Sequence, residues 1–430
     1  MQEQDFKTIC GQLIGFYRIS YYEKTKSYKY TQRGMISKAD RRQEPAAQKS
    51  LCSTTTLRQL EKGQAKRNDN LYCMLARKIN RSYLYSRKYL NTIQILIEDV
   101  YQNIEKMNRP EMFNLLKRIE NHALNSYLYY AEILQILSSL LLFYLEQQLP
   151  NEATVLWYCQ IAPLMPKTVR RMAVHISAEY YRRIDYHPEK IHELIDEHLL
   201  EKKDFLYFYT MIPCLITIQR FLKARSLLEQ LKNSLDFANN PYKQFYYHNM
   251  LACILTNIDF EAADKALDTC VSLVQNPLHF NTCQQATIYH NIGLRYLFKQ
   301  HYQTAAEYLI MASRFNPRII PAMLPYLYQA CQNSLYKDQP VLQALALYRK
   351  IKIKPMGLFS HYIKYFIRRC SGLDRQTAKE LESKIIEDIL PALRISSQKV
   401  YYSSYLREFF IDELRKLNQL SHSQNIIEKI

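Results

Sequence analysis

Two stretches of this chain are copies of one another, and that restricts its fold more than any other feature. Residues 247–270 and 289–312 align at a displacement of 42 with no gap. The shift sets Tyr247 on Tyr289, His248 on His290 and Asn249 on Asn291, then Phe260 on Tyr302, Ala263 on Ala305, Leu267 on Leu309 and Cys270 on Ala312. A weaker third copy repeats the aromatic-x-x-Ala step at Phe221 and Ala224, 39 residues earlier. A tandem unit of this length cannot bury its apolar face alone and must stack on its neighbours. From about residue 90 apolar positions recur at three- and four-residue spacing, as at Ile93, Leu96, Ile97, Val100 and Ile104, the period of an amphipathic helix. Breaks fall at Pro150, Pro166, Pro188, Pro241, Pro277, Pro317, Pro340 and Pro355. No stretch sustains the alternation of a strand, so the chain is expected to be all-α.

Glycine usage agrees. Seven glycines in 430 residues argue against sandwiches, barrels and nucleotide-binding α/β folds, which need glycine at turns and phosphate loops. Charge then divides the chain. Of the net +18, residues 1–90 hold +12 and the rest only +6, and four of the glycines lie in the first 63 residues. This shift predicts a small basic module over 1–85, with a basic insertion at about 20–50, followed by a helical body over 90–430. The insertion is densest at Lys24, Lys26, Lys29, Arg33, Lys38, Arg41 and Arg42, interleaved with Tyr21, Tyr22, Tyr28 and Tyr30. Nucleic acid, an anionic membrane surface and an acidic protein are all partners for such charge. The missing apolar face makes the membrane the weakest of the three.

Several chemistries find no support. Ten dilute cysteines without a Cys-x-x-Cys spacing read as reduced thiols of a cytoplasmic protein. No export signal opens the chain, and the longest apolar run, residues 133–145, spans 13 residues where a membrane helix needs about 20. A soluble protein is expected. His192 and His198 are six apart, whereas two metal ligands on one helical face need a separation of four. No metal, cofactor, nucleophile–base pair or enzyme activity is therefore expected. Trp157, Cys159 and Cys331 read as core.

In the second repeat Tyr289, Ile292, Gly293, Tyr296, Tyr302, Ala305, Leu309, Ala312 and Pro317 resemble the tetratricopeptide repeat at its consensus spacing. Gly293 and Ala305 fall where paired helices approach closely, Tyr296 fills the groove between them, and Pro317 ends the second helix. The resemblance implies an α-solenoid of roughly five to seven such pairs; a generic α-solenoid is the plainer alternative.

Within the basic module, Cys10–Arg18 (CGQLIGFYR) and Cys52–Gly63 (CSTTTLRQLEKG) resemble the opening helix and the recognition segment of the Cro/repressor-type (XRE) helix-turn-helix family. Leu13, Ile14 and Tyr17 are expected to face inward, with Arg18 at the helix end. Ser53 is placed to cap a helix from Thr54, with Leu57 and Leu60 turned to the core. Thr54, Thr55, Arg58 and Gln59 are left for base edges, where Arg pairs with guanine and Gln with adenine. Gly63 supplies the left-handed turn that ends the helix. Lys62, Lys66 and Arg67 are expected beside phosphates. Leu71, Leu75 and Ile79 give the next helix its apolar stripe. The chain departs from the family between Ile19 and Leu51, where 33 polar, basic residues replace a compact second helix of about eight.

A helix-turn-helix joined to such repeats resembles the peptide-responsive RNPP or Rgg-like regulators of Gram-positive bacteria. That resemblance implies double-stranded DNA, a short signalling peptide of the quorum-sensing kind and a homodimer as partners. Asn249 and Asn291 fall at the repeat position that holds a ligand backbone, with Tyr246, Tyr289, His290 and Arg295 as neighbours. An amide can satisfy both the N–H and C=O of an extended peptide; bridging adjacent helices is the equal alternative. A scaffold that binds a protein and not DNA is the other reading of the whole chain.

Overall fold

A computed structural model describes residues 1–36, 51–183, 188–198, 204–233, 237–255, 258–274, 280–351, 357–395 and 403–421. Helix follows helix through them, as expected of an all-α chain. Among the described residues the β-type pairing is a single isolated bridge between Ser82 and Tyr127, and no helix is long and apolar enough to cross a membrane. All ten cysteines are free thiols. The chain forms two compact units, Met1–Tyr181 with Glu189–Tyr207, and Arg182–Pro188 with Phe208–Ile430.

The first unit opens with α1 (Glu3–Thr25), α2 (Gln32–Ile36), α3 (Thr54–Glu61) and α4 (Asp69–Lys78), followed by α5 (Arg87–Glu105), α6 (Arg109–Glu120), α7 (Tyr130–Glu146), α8 (Glu152–Ile161), α9 (Lys167–Arg183) and α10 (Pro188–His198). The first helix is far longer than its motif, so Arg18 lies in its body and not at its end. Phe6, Cys10, Leu13, Ile14 and Tyr17 form its buried stripe. Gly11 and Gly15, one turn apart, let α3 come close. A Cβ on Gly11 would stand 2.8 Å from Leu60 Cδ2, and one on Gly15 2.9 Å from Glu61 Cβ. Any larger residue there would force the two helices apart.

The two compact units do not divide near residue 85, where the charge shift had set a domain boundary. The Phe6 ring contacts Tyr83, Tyr85, Tyr129 and Tyr130 at centroid distances of 5.8, 5.4, 5.4 and 5.6 Å. Tyr17 Oη donates to Glu132 Oε1 at 2.6 Å. Aromatic rings of this size bring large apolar areas out of water and dominate the energetics of the cores that contain them. The basic module and the start of the helical body thus share one core. Trp157, expected to be core, is half-buried, its ring 5.2 Å from that of Tyr158.

The second unit holds most of α11 (Phe205–Thr217), then α12 (Phe221–Lys232), α13 (Pro241–Leu255), α14 (Phe260–Val274), α15 (Thr282–Phe298), α16 (Tyr302–Phe315), α17 (Ile320–Gln332) and α18 (Gln339–Lys350). It closes with α19 (Gly357–Arg369), α20 (Arg375–Lys384), a π-helical turn Ile385–Ile389, α21 (Leu390–Ile395) and α22 (Ser403–Ser421). The 42-residue copies are α13 with α14 and α15 with α16. Gly293 lies against α16, where a Cβ would approach Leu309 Cγ to 2.7 Å. The Tyr296 ring lies parallel to that of Tyr308 at 5.7 Å. Pro317 follows the Asn316 cap of α16 and opens a 3₁₀ turn. Pro213 and Pro325, absent from the expected breaks, sit inside α11 and α17. Both are buried, so packing there outweighs the backbone hydrogen bond that each forfeits.

Candidate functional site

The recognition-like helix is built by local rules. Ser53 Oγ accepts from Thr56 N at 3.0 Å and caps α3, and Leu57 and Leu60 are buried. Gly63 takes φ +86°, a conformation that side chains with a Cβ resist. Its N–H donates to the Leu60 carbonyl at 2.9 Å, and the Gln64 N–H reaches back to Gln59 at 2.8 Å. Asn68 caps α4 through Asn70 N at 3.0 Å, and Leu71, Leu75 and Ile79 are buried.

On the outer side Thr55, Arg58, Lys62 and Arg67 are exposed, while Thr54, Gln59 and Lys66 are half-buried. Three of these side chains are held by hydrogen bonds. Arg58 Nε donates to Gln32 Oε1 of α2 at 2.9 Å, which leaves the two terminal nitrogens of the guanidinium as a fork. Lys66 Nζ donates to Gln59 Oε1 at 2.8 Å, so one lone pair of that amide is engaged before any base arrives. At the far end of α3, Glu61 receives a two-point contact from Arg18, Nε to Oε1 at 2.5 Å and Nη2 to Oε2 at 3.0 Å. Arg18 is therefore a brace between α1 and α3. Between α1 and α3 the described residues form the five-residue α2, whose Met35 is buried. Tyr21 and Tyr30 of the insertion pack ring to ring at 5.2 Å; Lys38, Arg41 and Arg42 lie outside the described residues.

The repeat-face residues fare differently from one another. Asn291 Nδ2 donates to Asn249 Oδ1 at 3.1 Å, joining the first helices of the two copies. Tyr289 is stacked on Phe315 at 5.4 Å. Two expected neighbours are committed elsewhere. Arg295, 3% exposed, pairs with Asp264 of α14 at 3.1 Å, and Lys299 reaches the other oxygen of the same carboxylate. A buried cation without that partner would carry its full desolvation cost. Tyr246 is buried beneath the face. Its ring lies 4.2 Å from that of Tyr209, and its Oη donates to the Phe208 carbonyl at 3.3 Å. Among the described residues no group of three or more His, Cys, Asp or Glu side chains is placed to hold a metal ion.

His290 packs edge-on to the Tyr326 ring of α17 at 6.3 Å. Burial pushes its pKa down to about 4, against a smaller opposing effect of Asn291; burial likewise lowers that of His248. A histidine whose folded pKa is depressed favours folding only while it is neutral. Its contribution is complete above the unfolded value of about 6.5 and is lost as the pH falls toward 4. The urea midpoint of the chain, followed by circular dichroism, is expected to drop between pH 7 and pH 5. His290→Phe should flatten that drop, and an unchanged slope would contradict the assignment.

No protein-family model, no curated protein and no solved structure matches this chain.

Proposed function

We propose that this protein is a DNA-binding transcriptional regulator whose helix α3 reads base edges and whose repeat unit takes up a short peptide. One observation carries the reading. A capped eight-residue helix, pinned inward by Leu57 and Leu60, presents Thr55 and Arg58 to solvent beside a left-handed glycine turn. Lys62 and Arg67 follow it and are exposed. Thr, Arg and Gln on such a helix match the donor and acceptor pattern of the major groove. The lysines and arginine supply phosphate contacts, which set affinity and not sequence. A homodimer, with two copies of α3 on successive half-sites, is part of the same proposal. The Asn249–Asn291 pair supports the peptide half, because an extended backbone can exchange into that amide–amide bond.

A gel-shift titration with the full chain tests the DNA half. Binding to a promoter fragment should survive excess random duplex and weaken steeply as salt is raised, about tenfold per decade of salt for each phosphate contact. Equal affinity for random and promoter DNA, or none for either, would defeat the proposal. A protein-binding scaffold is the second reading. It is favoured by Leu222, Ile258 and Leu335, which are 87%, 67% and 90% exposed at or beside the turns between paired helices.

A further inference from the structure

The repeat face of the second unit already holds a side chain from elsewhere in the chain. Tyr405, in the first turn of α22, reaches back to helices more than 70 residues earlier. Its ring stacks on Tyr326 of α17 at 6.1 Å and 18°, and meets Phe298 of α15 edge-on at 4.9 Å and 84°. Its Oη donates to Gln329 Oε1 of α17 at 2.5 Å. Two aromatic walls and one acceptor thus form a seat for a phenol. Tyr326 also carries the edge of His290, the residue before Asn291 on α15.

The rest of α22 is anchored separately. Phe410 packs on Tyr362 at 5.5 Å and Tyr365 at 5.6 Å, Glu413 accepts from Arg369 at 3.2 Å, and Leu414 and Leu417 are buried. Tyr405 is half-buried, with Arg407 and Glu408 exposed after it. Its ring can leave the seat while these contacts keep the helix in place. Leaving forfeits one hydrogen bond and two ring contacts. A ligand that re-forms them recovers what they contribute.

We propose that Tyr405 is a built-in competitor for the peptide groove. The ligand is an extended peptide bearing a tyrosine or a similarly shaped aromatic side chain, whose ring displaces that of Tyr405 while its backbone engages Asn249 and Asn291. The two ring-to-ring steps from His290 to Tyr405 total about 12 Å at most, which an extended peptide spans in about four residues. The inference rests on the peptide half of the proposed function and not on DNA binding.

The probe is N-acetyl-Ser-Ser-Tyr-Leu-amide, the sequence of residues 403–406, titrated into the full chain and read by ligand-observed NMR. Tyr405→Ala should bind it at least about tenfold more tightly than the native chain, the factor expected for about 1.4 kcal/mol of released competition. Tyr405→Phe, which keeps the ring and gives up only the hydrogen bond, should fall between them and guards against misfolding of the alanine variant. The same peptide with alanine for tyrosine should not bind. Equal binding to all three forms, or none to any, overturns the inference. Asn291→Ala in the Tyr405→Ala background reports on the groove itself. Weakened binding supports it, whereas undiminished tyrosine-dependent binding removes the asparagines from the ligand site and leaves the phenol seat standing.

Discussion

On the proposed reading of α3, replacing Arg58 and Gln59 together by alanine is expected to reduce binding to a specific operator at least about 30-fold while leaving random-sequence binding nearly unchanged. The size follows from roughly 1–3 kcal/mol of discrimination for each bidentate base contact. Both side chains point away from Leu57 and Leu60, and Arg58 is exposed, so the thermal midpoint should move little. Gln32→Ala is the informative companion. Gln32 fixes Arg58 through Nε and so aims the terminal nitrogens; its loss should cost a few-fold in specific affinity, within the ~1 kcal/mol of a single hydrogen bond. Competition gel shifts at one fixed salt concentration measure both. If the double variant discriminates operator from random duplex as well as the native chain, α3 is not the reading helix.

The features of α3 that were legible in the sequence are those decided within one or two turns. Ser53 caps because a hydroxyl before a helix finds a free N–H, Leu57 and Leu60 fall on one face, and Gly63 alone adopts a positive φ at low cost there. The 42-residue repeat was legible for a related reason, since close packing at Gly293 and Ala305 leaves a small-residue signature at fixed spacing. What escaped were contacts between distant parts of the chain. Composition placed a boundary near residue 85, but composition records which residues are charged, not which rings touch; Phe6 and Tyr17 find partners beyond residue 82 and beyond residue 128.

Buried charges escaped for a similar reason. Arg295 reads as a groove residue from its place near Asn291, and nothing in its neighbourhood announces Asp264 one helix earlier. Arg18 was assigned to a helix end, although its guanidinium is spent on Glu61. Gly11 and Gly15, counted only as part of a composition shift, prove to set the approach of α1 to α3. Tyr405 carried no signal at all. A lone tyrosine at the start of a late helix gives no hint of a seat built from α15 and α17.

Glu132→Ala should be the most damaging single change in the first unit, lowering its stability by about 3–5 kcal/mol, the range for breaking a buried charged network from one side. Glu132 is 0% exposed. Its carboxylate accepts from Tyr17 Oη at 2.6 Å and from the Tyr129 N–H at 2.5 Å, with Arg81 Nη2 at 3.8 Å. Alanine leaves all three donors facing a cavity, in a protein class whose whole stability is roughly 5–15 kcal/mol. Glu132→Gln should be far milder. The amide can accept from Tyr129 N and donate to Tyr17 Oη, forfeiting the hydrogen bond that Tyr17 donates and the longer approach of Arg81. The two side chains also differ with pH. Burial, only partly offset by Tyr17 and Arg81, holds the Glu132 pKa above its ordinary value. The folded state therefore retains this proton longer than the unfolded one, and the native chain loses stability as the pH rises through that interval. Glutamine has no proton to lose, so the cost of Glu132→Gln should shrink between pH 4 and pH 7. Trp157 is the chain's one tryptophan and lies in the first unit, so its fluorescence during guanidinium unfolding reports on this unit alone. A cost for the glutamine variant equal to alanine's would mean that the amide cannot replace the carboxyl group, and one that grows with pH would mean that Arg81, not burial, governs Glu132.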